Sequence, residues 1–316
     1  MKLLISAFHQ REYSARFARI APGLEQVAAS EAGELPDLTD VEVIFYGGRG
    51  IWLPGNANLS KFVELPALEW LHTITTGIDD PRFARLLERG VAITNSPEAP
   101  APGVAQLVLA QLLRVVKQLD LLAAQQREQV WKVPMISPTS GELTGMTAGI
   151  VGLGHVGQEV ARLCKAVGMQ VIGCRRSPSA VAHVDELVPL DTLLARAAFV
   201  ILCVPLTAET KHLIDARAIA RMRPEAWLVN VARGQIVDDA ALVAALRERT
   251  IAGACLDVFE REPLPADDPY WTLPNVHITP HNAPASLAYA RRCTEAFERN
   301  LARYVAGEPL LDRVAR

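Results

Sequence analysis

The chain has 316 residues, half of them hydrophobic and about a fifth charged, with 32 Lys and Arg against 35 Asp and Glu. That length suits about two domains, each able to bury a core. The net charge of −3, with no block of Lys and Arg, excludes the cationic stripe that a nucleic-acid partner needs.

At the amino terminus Met1-Lys2-Leu3-Leu4-Ile5 is apolar but stops at His9-Gln10-Arg11-Glu12, too soon for the core of a signal peptide. It fits a buried strand over residues 2–7. Further strands are predicted over 41–46, 68–74 and 91–94, forming one small α/β unit. A long amphipathic helix follows over 102–128. It is interrupted by Gln106, Gln111 and Arg114, so no membrane span is expected. Residues 131–140, with Pro134 and Pro138, read as a loop that ends this helix. A second, more hydrophobic series of strands is predicted at 148–151, 170–173, 199–204, 227–231, 253–258 and 276–279. Such near-continuous apolar runs suit parallel strands covered on both faces. Helices fall between them, for example over 156–167 and 238–248, where Asp238 or Asp239 caps the start. A second long helix over 284–305 follows.

Alternating strands and helices imply right-handed crossovers and an α/β fold with doubly wound parallel sheets. The two long helices flank the second series. The chain therefore builds a first domain, crosses out, builds a second and crosses back, giving domains of 1–98 plus 286–316 and of 99–285. Five cysteines, Cys164, Cys174, Cys203, Cys255 and Cys293, lie scattered and mostly in apolar runs. They have no metal-ligand spacing, and they read as reduced thiols of a cytoplasmic protein with no metal site.

Gly152-Leu153-Gly154-His155-Val156-Gly157 places G-x-G-x-x-G between a predicted strand and a predicted helix. A lone match is weak, but here a second strand follows near residue 173. Gly152 permits the tight turn, Gly154 lets the backbone approach a pyrophosphate, and Gly157 lets helix and strand pack closely. The helix start at His155 and Val156 offers N–H donors to phosphate. At the end of the second strand an NAD binder carries an acid for the ribose hydroxyl. This chain has Arg175, Arg176 and Ser177 there instead. Two forked cations and a hydroxyl suit a 2′-phosphate, so NADP(H) is favoured over NAD(H).

Three more segments each follow a predicted strand and so reach a carboxyl edge, where open α/β sheets place ligands. They are Val229-Asn230-Val231-Ala232-Arg233-Gly234, Leu256-Asp257-Val258-Phe259-Glu260-Arg261-Glu262-Pro263, and Ile278-Thr279-Pro280-His281-Asn282-Ala283. Arg can hold a carboxylate by two bonds, His can exchange a proton, and Glu can orient that His. Singly, each has a plain alternative: a surface ion pair, a solvated carboxylate, a satisfied histidine.

In order and spacing these segments resemble the signature of the D-isomer-specific 2-hydroxyacid dehydrogenases: V-N-x-A-R-G, L-D-V-F-x-x-E-P and T-P-H-x-A. The likeness extends to Thr76-Gly77-Ile78-Asp79, Asn95-Ser96-Pro97, Gly141-Glu142-Leu143-Thr144-Gly145, Val204-Pro205-Leu206-Thr207 and Ala306-Gly307-Glu308-Pro309. The resemblance implies two Rossmann-like domains with the active site in the cleft between them, and a homodimer. Carried over by position, Arg233 would bind and polarise a keto acid, His281 would donate the proton, and Glu262 would bond His281. Backbone amides at Thr76 and Gly77 would meet the substrate carboxylate. Val204, Pro205, Thr210, Val231, Ala232 and Asp257 would join the Gly-rich turn in holding the cofactor. The details look most like the bacterial glyoxylate/hydroxypyruvate reductases. Candidate pocket walls are Trp52, Trp131 and Met135.

The chain departs from the family at Glu98, Ala101 and Gln106, where Gly, Thr and Glu are usual. A different reading of the same fold is a dinucleotide-sensing module resembling the family's corepressors.

Overall fold

A computed structural model describes residues 1–48, 51, 57–75, 77–133, 141–177 and 179–314. The chain divides into two compact units, Met1–Ala99 with Ser286–Arg316, and Pro100–Ala285.

The first unit holds strands β1 (Lys2–Ser6), β2 (Glu25–Ala29), β3 (Val43–Tyr46), β4 (Trp70–Thr73) and β5 (Ala92–Asn95). They form a parallel sheet in the order β2-β1-β3-β4-β5. Every residue of β3 and β4 is buried, as expected for central strands covered by helices on both faces. Edge strand β2 has no counterpart in the sequence reading. Its residues Glu-Gln-Val-Ala-Ala are mostly half-exposed and lack the β-branched run that marks a strand.

The second unit holds β6 (Thr147–Val151), β7 (Gln170–Cys174), β8 (Glu186–Leu187), β9 (Phe199–Leu202), β10 (Trp227–Asn230), β11 (Gly253–Leu256) and β12 (Val276–Ile278). All pair in parallel, in the order β12-β11-β10-β9-β6-β7-β8. Val151, Val200, Leu202, Leu228 and Leu256 belong to one core cluster, and Ile150, Phe199, Ile201, Val229 and Cys255 to another. Alternation along the strands thus feeds both faces of the sheet. Truncating a fully buried side chain such as Leu228 costs about 2–5 kcal/mol.

The expected single helix over 102–128 is two helices, Ala101–Val116 and Leu119–Arg127. Gln118 between them takes a left-handed backbone, φ 52°, which breaks the helical hydrogen-bond ladder. Asp238, not Asp239, caps helix Asp239–Glu248 by accepting from Ala241 N. Among the described residues no helix is long and apolar enough to cross a membrane.

Because every strand of the second sheet runs the same way, the loops after β6, β7, β9, β10, β11 and β12 emerge at one edge. The strand order reverses where β6 lies between β7 and β9. That is the switch point at which such sheets leave a crevice.

Candidate active site

The turn after β6 is built on three glycines with separate duties. Gly152 has φ 93°, a conformation that side chains rarely adopt, and a Cβ there would lie 2.7 Å from the Cys203 carbonyl oxygen. A Cβ on Gly157 would overlap the Gly152 carbonyl, so its absence lets helix His155–Ala166 close onto β6. Gly154 differs, because a Cβ on it would meet no atom within 4 Å. The space above Gly154 is therefore kept open, in front of a helix start whose N–H groups attract phosphate. A bare backbone turn with this open face fits the pyrophosphate of a dinucleotide.

The flanking loops supply the rest of that surface. Arg175, Arg176 and Ser177 follow β7 and are exposed. Val204 and Pro205 follow β9, and Thr210 staples their loop by donating to Pro205 O at 2.7 Å while accepting from Thr207 N at 2.7 Å. Val231 and Ala232 follow β10.

At the other half of the same edge stand the three chemical side chains. Arg233 follows β10 with an extended backbone, and its Nη1 donates to Ala232 O at 2.7 Å. Glu262 lies in the loop after β11 and accepts from His281 Nδ1 at 2.7 Å through Oε2. Its Oε1 accepts from Phe259 N at 2.9 Å. Burial works to raise the Glu262 pKa, but those two hydrogen bonds and the charges of His281 and Arg233 hold it below its ordinary value. A carboxylate only accepts, so Nδ1 carries a hydrogen and Nε2 is left for exchange. His281 and Glu262 remain accessible, 45% and 34% exposed.

Asp257 is assigned to the cofactor side by resemblance, and the structure gives its carboxylate a further duty. It is buried and accepts from Thr279 Oγ1 at 2.6 Å, Asn282 N at 3.2 Å and Ala283 N at 3.2 Å. Burial raises its pKa, and these bonds oppose the shift. Its carbonyl accepts from His281 N at 2.8 Å. His281 itself has φ 48°, a left-handed conformation that costs a non-glycine residue about 1–3 kcal/mol and persists only where the surroundings impose it. The His281 N–H is held there by two carbonyls, Asp257 O at 2.8 Å and Thr279 O at 3.1 Å. Sequence spacing offered no signal for this, since the bonds cross from one loop to the next.

In the other unit Gly77 follows β4, and its carbonyl accepts from Thr75 Oγ1 at 3.1 Å. Thr76, Trp52 and Met135 lie outside the described residues. Trp131 is fully exposed. Of the departures from the family pattern, Ala101 is buried and Gln106 is exposed on helix Ala101–Val116.

A family model described as D-isomer specific 2-hydroxyacid dehydrogenase, NAD binding domain, matches residues 109–283. The chain belongs to that family. A glyoxylate reductase of Korarchaeum cryptofilum is 38% identical over 253 residues, covering 78% of this chain and 76% of that protein. A D-isomer specific 2-hydroxyacid dehydrogenase of Xanthobacter autotrophicus Py2, solved with NADPH and MES, superposes with a TM-score of 0.78 at 30% identity. The match covers 99% of this chain and 97% of that one. An NADPH-dependent glyoxylate/hydroxypyruvate reductase of Sinorhizobium meliloti, solved with NADP and sulfate, gives a TM-score of 0.78 at 27% identity, with the same coverage. As a D-isomer-specific 2-hydroxyacid dehydrogenase, the protein is an NAD(P)-dependent oxidoreductase of α/β, Rossmann-like architecture.

Proposed function

We propose that this dehydrogenase reduces a small 2-keto acid, glyoxylate or hydroxypyruvate, with NADPH as the preferred donor. The observation that carries the reading is the Glu262–His281 pair at 2.7 Å, with Arg233 close enough for its charge to act on Glu262. When bound at the Gly152–Gly157 turn, the dinucleotide supplies the hydride.

The protein's own groups do the remainder. The Arg233 guanidinium grips the substrate carboxylate and withdraws electron density from the keto group, a task for a planar, permanently charged fork. His281 Nε2 delivers the proton that turns the developing alkoxide into a hydroxyl. Glu262 holds the imidazole in the tautomer that leaves Nε2 outward, and it balances the imidazolium charge. Arg175 and Arg176, with Ser177, receive the 2′-phosphate. The relatives named as glyoxylate reductases, and the neighbours solved with NADPH or NADP, support this choice of substrate and cofactor.

The protein acts as a homodimer. Helix Leu119–Arg127 has no buried residue, and it exposes Leu119, Leu121 and Leu122 close in sequence to exposed Val130, Trp131 and Val133. A run of apolar side chains left in water marks an association surface.

The test is consumption of NADPH and NADH, followed by absorbance, against a panel of 2-keto acids. Turnover of glyoxylate or hydroxypyruvate with NADPH, well above that of bulkier keto acids, is expected. Dinucleotide binding without turnover of any keto acid would instead indicate a sensing module.

A further inference from the structure

Asn230 closes β10 and is 1% exposed. Its Oδ1 accepts from Ala232 N at 3.1 Å, and its Nδ2 donates to Arg233 O at 2.9 Å. Both ends of the carboxamide are thus spent on the next three residues of its own chain. Rotating the amide by half a turn would set N–H against N–H and oxygen against oxygen, so its orientation is determined. Its backbone carbonyl accepts from Asp257 N at 3.0 Å, tying the same residue to the end of β11.

The loop is also fixed from its far side. A Cβ on Gly234 would overlap the backbone of Phe259 and Glu260, so the peptide after Arg233 lies directly on the segment that leads to Glu262. Gln235 Nε2 adds a bond to Glu260 O at 3.3 Å. Between these supports Arg233 is held extended, with φ −146° and ψ 144°.

We propose that Asn230 is a positioning residue for substrate binding. It fixes the peptide that carries Arg233, so that the guanidinium is delivered to the Glu262–His281 pair in one register. A guanidinium on a flexible stem reaches many places if its backbone moves, and a displacement of about 1 Å at a reacting group can cost a hundredfold in rate. The inference rests on the assignment of Arg233 to the substrate.

Asn230→Asp keeps the acceptor for Ala232 N and replaces the donor to Arg233 O with an oxygen. The expected result is a fall of about ten- to a hundredfold in kcat/KM for the keto acid. The dinucleotide Kd, followed by fluorescence, should change less than about twofold, because the Gly152–Gly157 turn is untouched and the acceptor that holds Ala232 N is kept. The deciding measurement is the double variant with Arg233→Lys. If Asn230 acts through the fork, Asn230→Asp should cost less than about twofold once the fork is gone. An equal loss in both backgrounds, or a lowered Tm with unchanged kcat/KM, would overturn the proposal. Should Asn230→Asp fail to fold, Asn230→Ser, whose hydroxyl can still accept from Ala232 N, carries the same cycle. If Arg233→Lys alone is kinetically silent, the substrate assignment fails and this inference with it. If Arg233→Lys is impaired and neither Asn230 variant is, the positioning role alone fails.

Discussion

Glu262 and His281 meet at 2.7 Å across two loops, and each is held from its other side by backbone. Phe259 N binds the second carboxylate oxygen of Glu262, while the His281 N–H is taken by Asp257 O. The pair is therefore fixed by the protein's own backbone, and groups held in this way lower the cost of reorganisation during reaction. Glu262 has a depressed pKa in the folded chain. The stabilisation from its pairing is present above the unfolded carboxylate value, about 4.3, and is lost as pH falls through the lower folded value.

From this follows an expectation for the rate. Glu262 stays ionised across the neutral range, so the wild-type pH profile should show no ionisation from it above about pH 4.5. Glu262→Gln removes the charge behind the imidazole, and kcat for reduction should fall by about ten- to a hundredfold at neutral pH. Initial rates of both proteins from pH 4 to 9 check this. An acid limb near pH 6 in the wild type that disappears in Glu262→Gln would show that the carboxylate titrates there.

Arg233→Lys keeps a positive charge and discards the fork. A Lys ammonium cannot hold a carboxylate by two parallel bonds while polarising the adjacent keto group. kcat/KM for the keto acid should drop by about two to three orders of magnitude, the scale seen on deleting an oxyanion donor. Steady-state kinetics on the folded variant decide it, and unchanged values would remove Arg233 from the substrate.

The parts of the site legible in the sequence were those whose local pattern names a duty. The G-x-G-x-x-G turn sits on a strand and helix that the apolar runs already marked, and Arg233, Glu262 and His281 each follow such a strand. What was not legible depends on contacts between segments distant along the chain. Asp257 clamps Thr279 to Ala283 through bonds spanning more than twenty residues, and no spacing rule points at them. Strand β2 was hidden because a half-exposed edge strand needs little hydrophobic patterning. The helix break at Gln118 was hidden because a left-handed residue that is not glycine leaves no composition signal.

Gly154 and Gly157 should separate binding from folding. A Cβ at Gly154 would meet no protein atom within 4 Å, so a side chain there enters the open face where the pyrophosphate approaches. Gly154→Val should therefore weaken dinucleotide binding at least tenfold, on the order of the 1.4 kcal/mol that one excluded contact represents, with little change in Tm. Gly157→Ala instead forces a Cβ into the Gly152 carbonyl and should lower Tm by several degrees. Titration calorimetry and thermal melts on both variants provide the contrast. A destabilised Gly154→Val with normal dinucleotide affinity would contradict the assignment of that open face.

If the exposed leucines of helix Leu119–Arg127 are covered by a second copy, charge there should split the assembly. Leu119 and Leu122 are three residues apart and share a helix face. The wild type should elute at twice the chain mass in light-scattering chromatography, and the double substitution Leu119→Lys and Leu122→Lys should elute as a monomer. A wild type that is monomeric at micromolar concentration would sink the dimer.

The choice between NADPH and NADH turns on the loop after β7. Arg175, Arg176 and Ser177 are exposed there, and no acid takes the place where a ribose hydroxyl would be accepted. The two guanidiniums are not equivalent. Arg175 directly follows β7, at the place of the acid that accepts from the ribose hydroxyl in an NAD binder, and so stands first in line for a 2′-phosphate. A charge-assisted hydrogen bond contributes about 1.5–3 kcal/mol, and each 1.4 kcal/mol is a factor of ten. Two such contacts, screened by solvent, should favour NADPH by about a hundredfold at low salt and less as ionic strength rises. Arg175→Asp removes a cation and adds a like charge against the phosphate, so it should move the ratio toward NADH further than Arg176→Ser does. The measurement is kcat/KM for both dinucleotides on one keto acid, wild type beside the two variants, at two salt concentrations. Equal use of NADPH and NADH by the wild type would return the Arg pair to a solvated loop while leaving Arg233, Glu262 and His281 in their places.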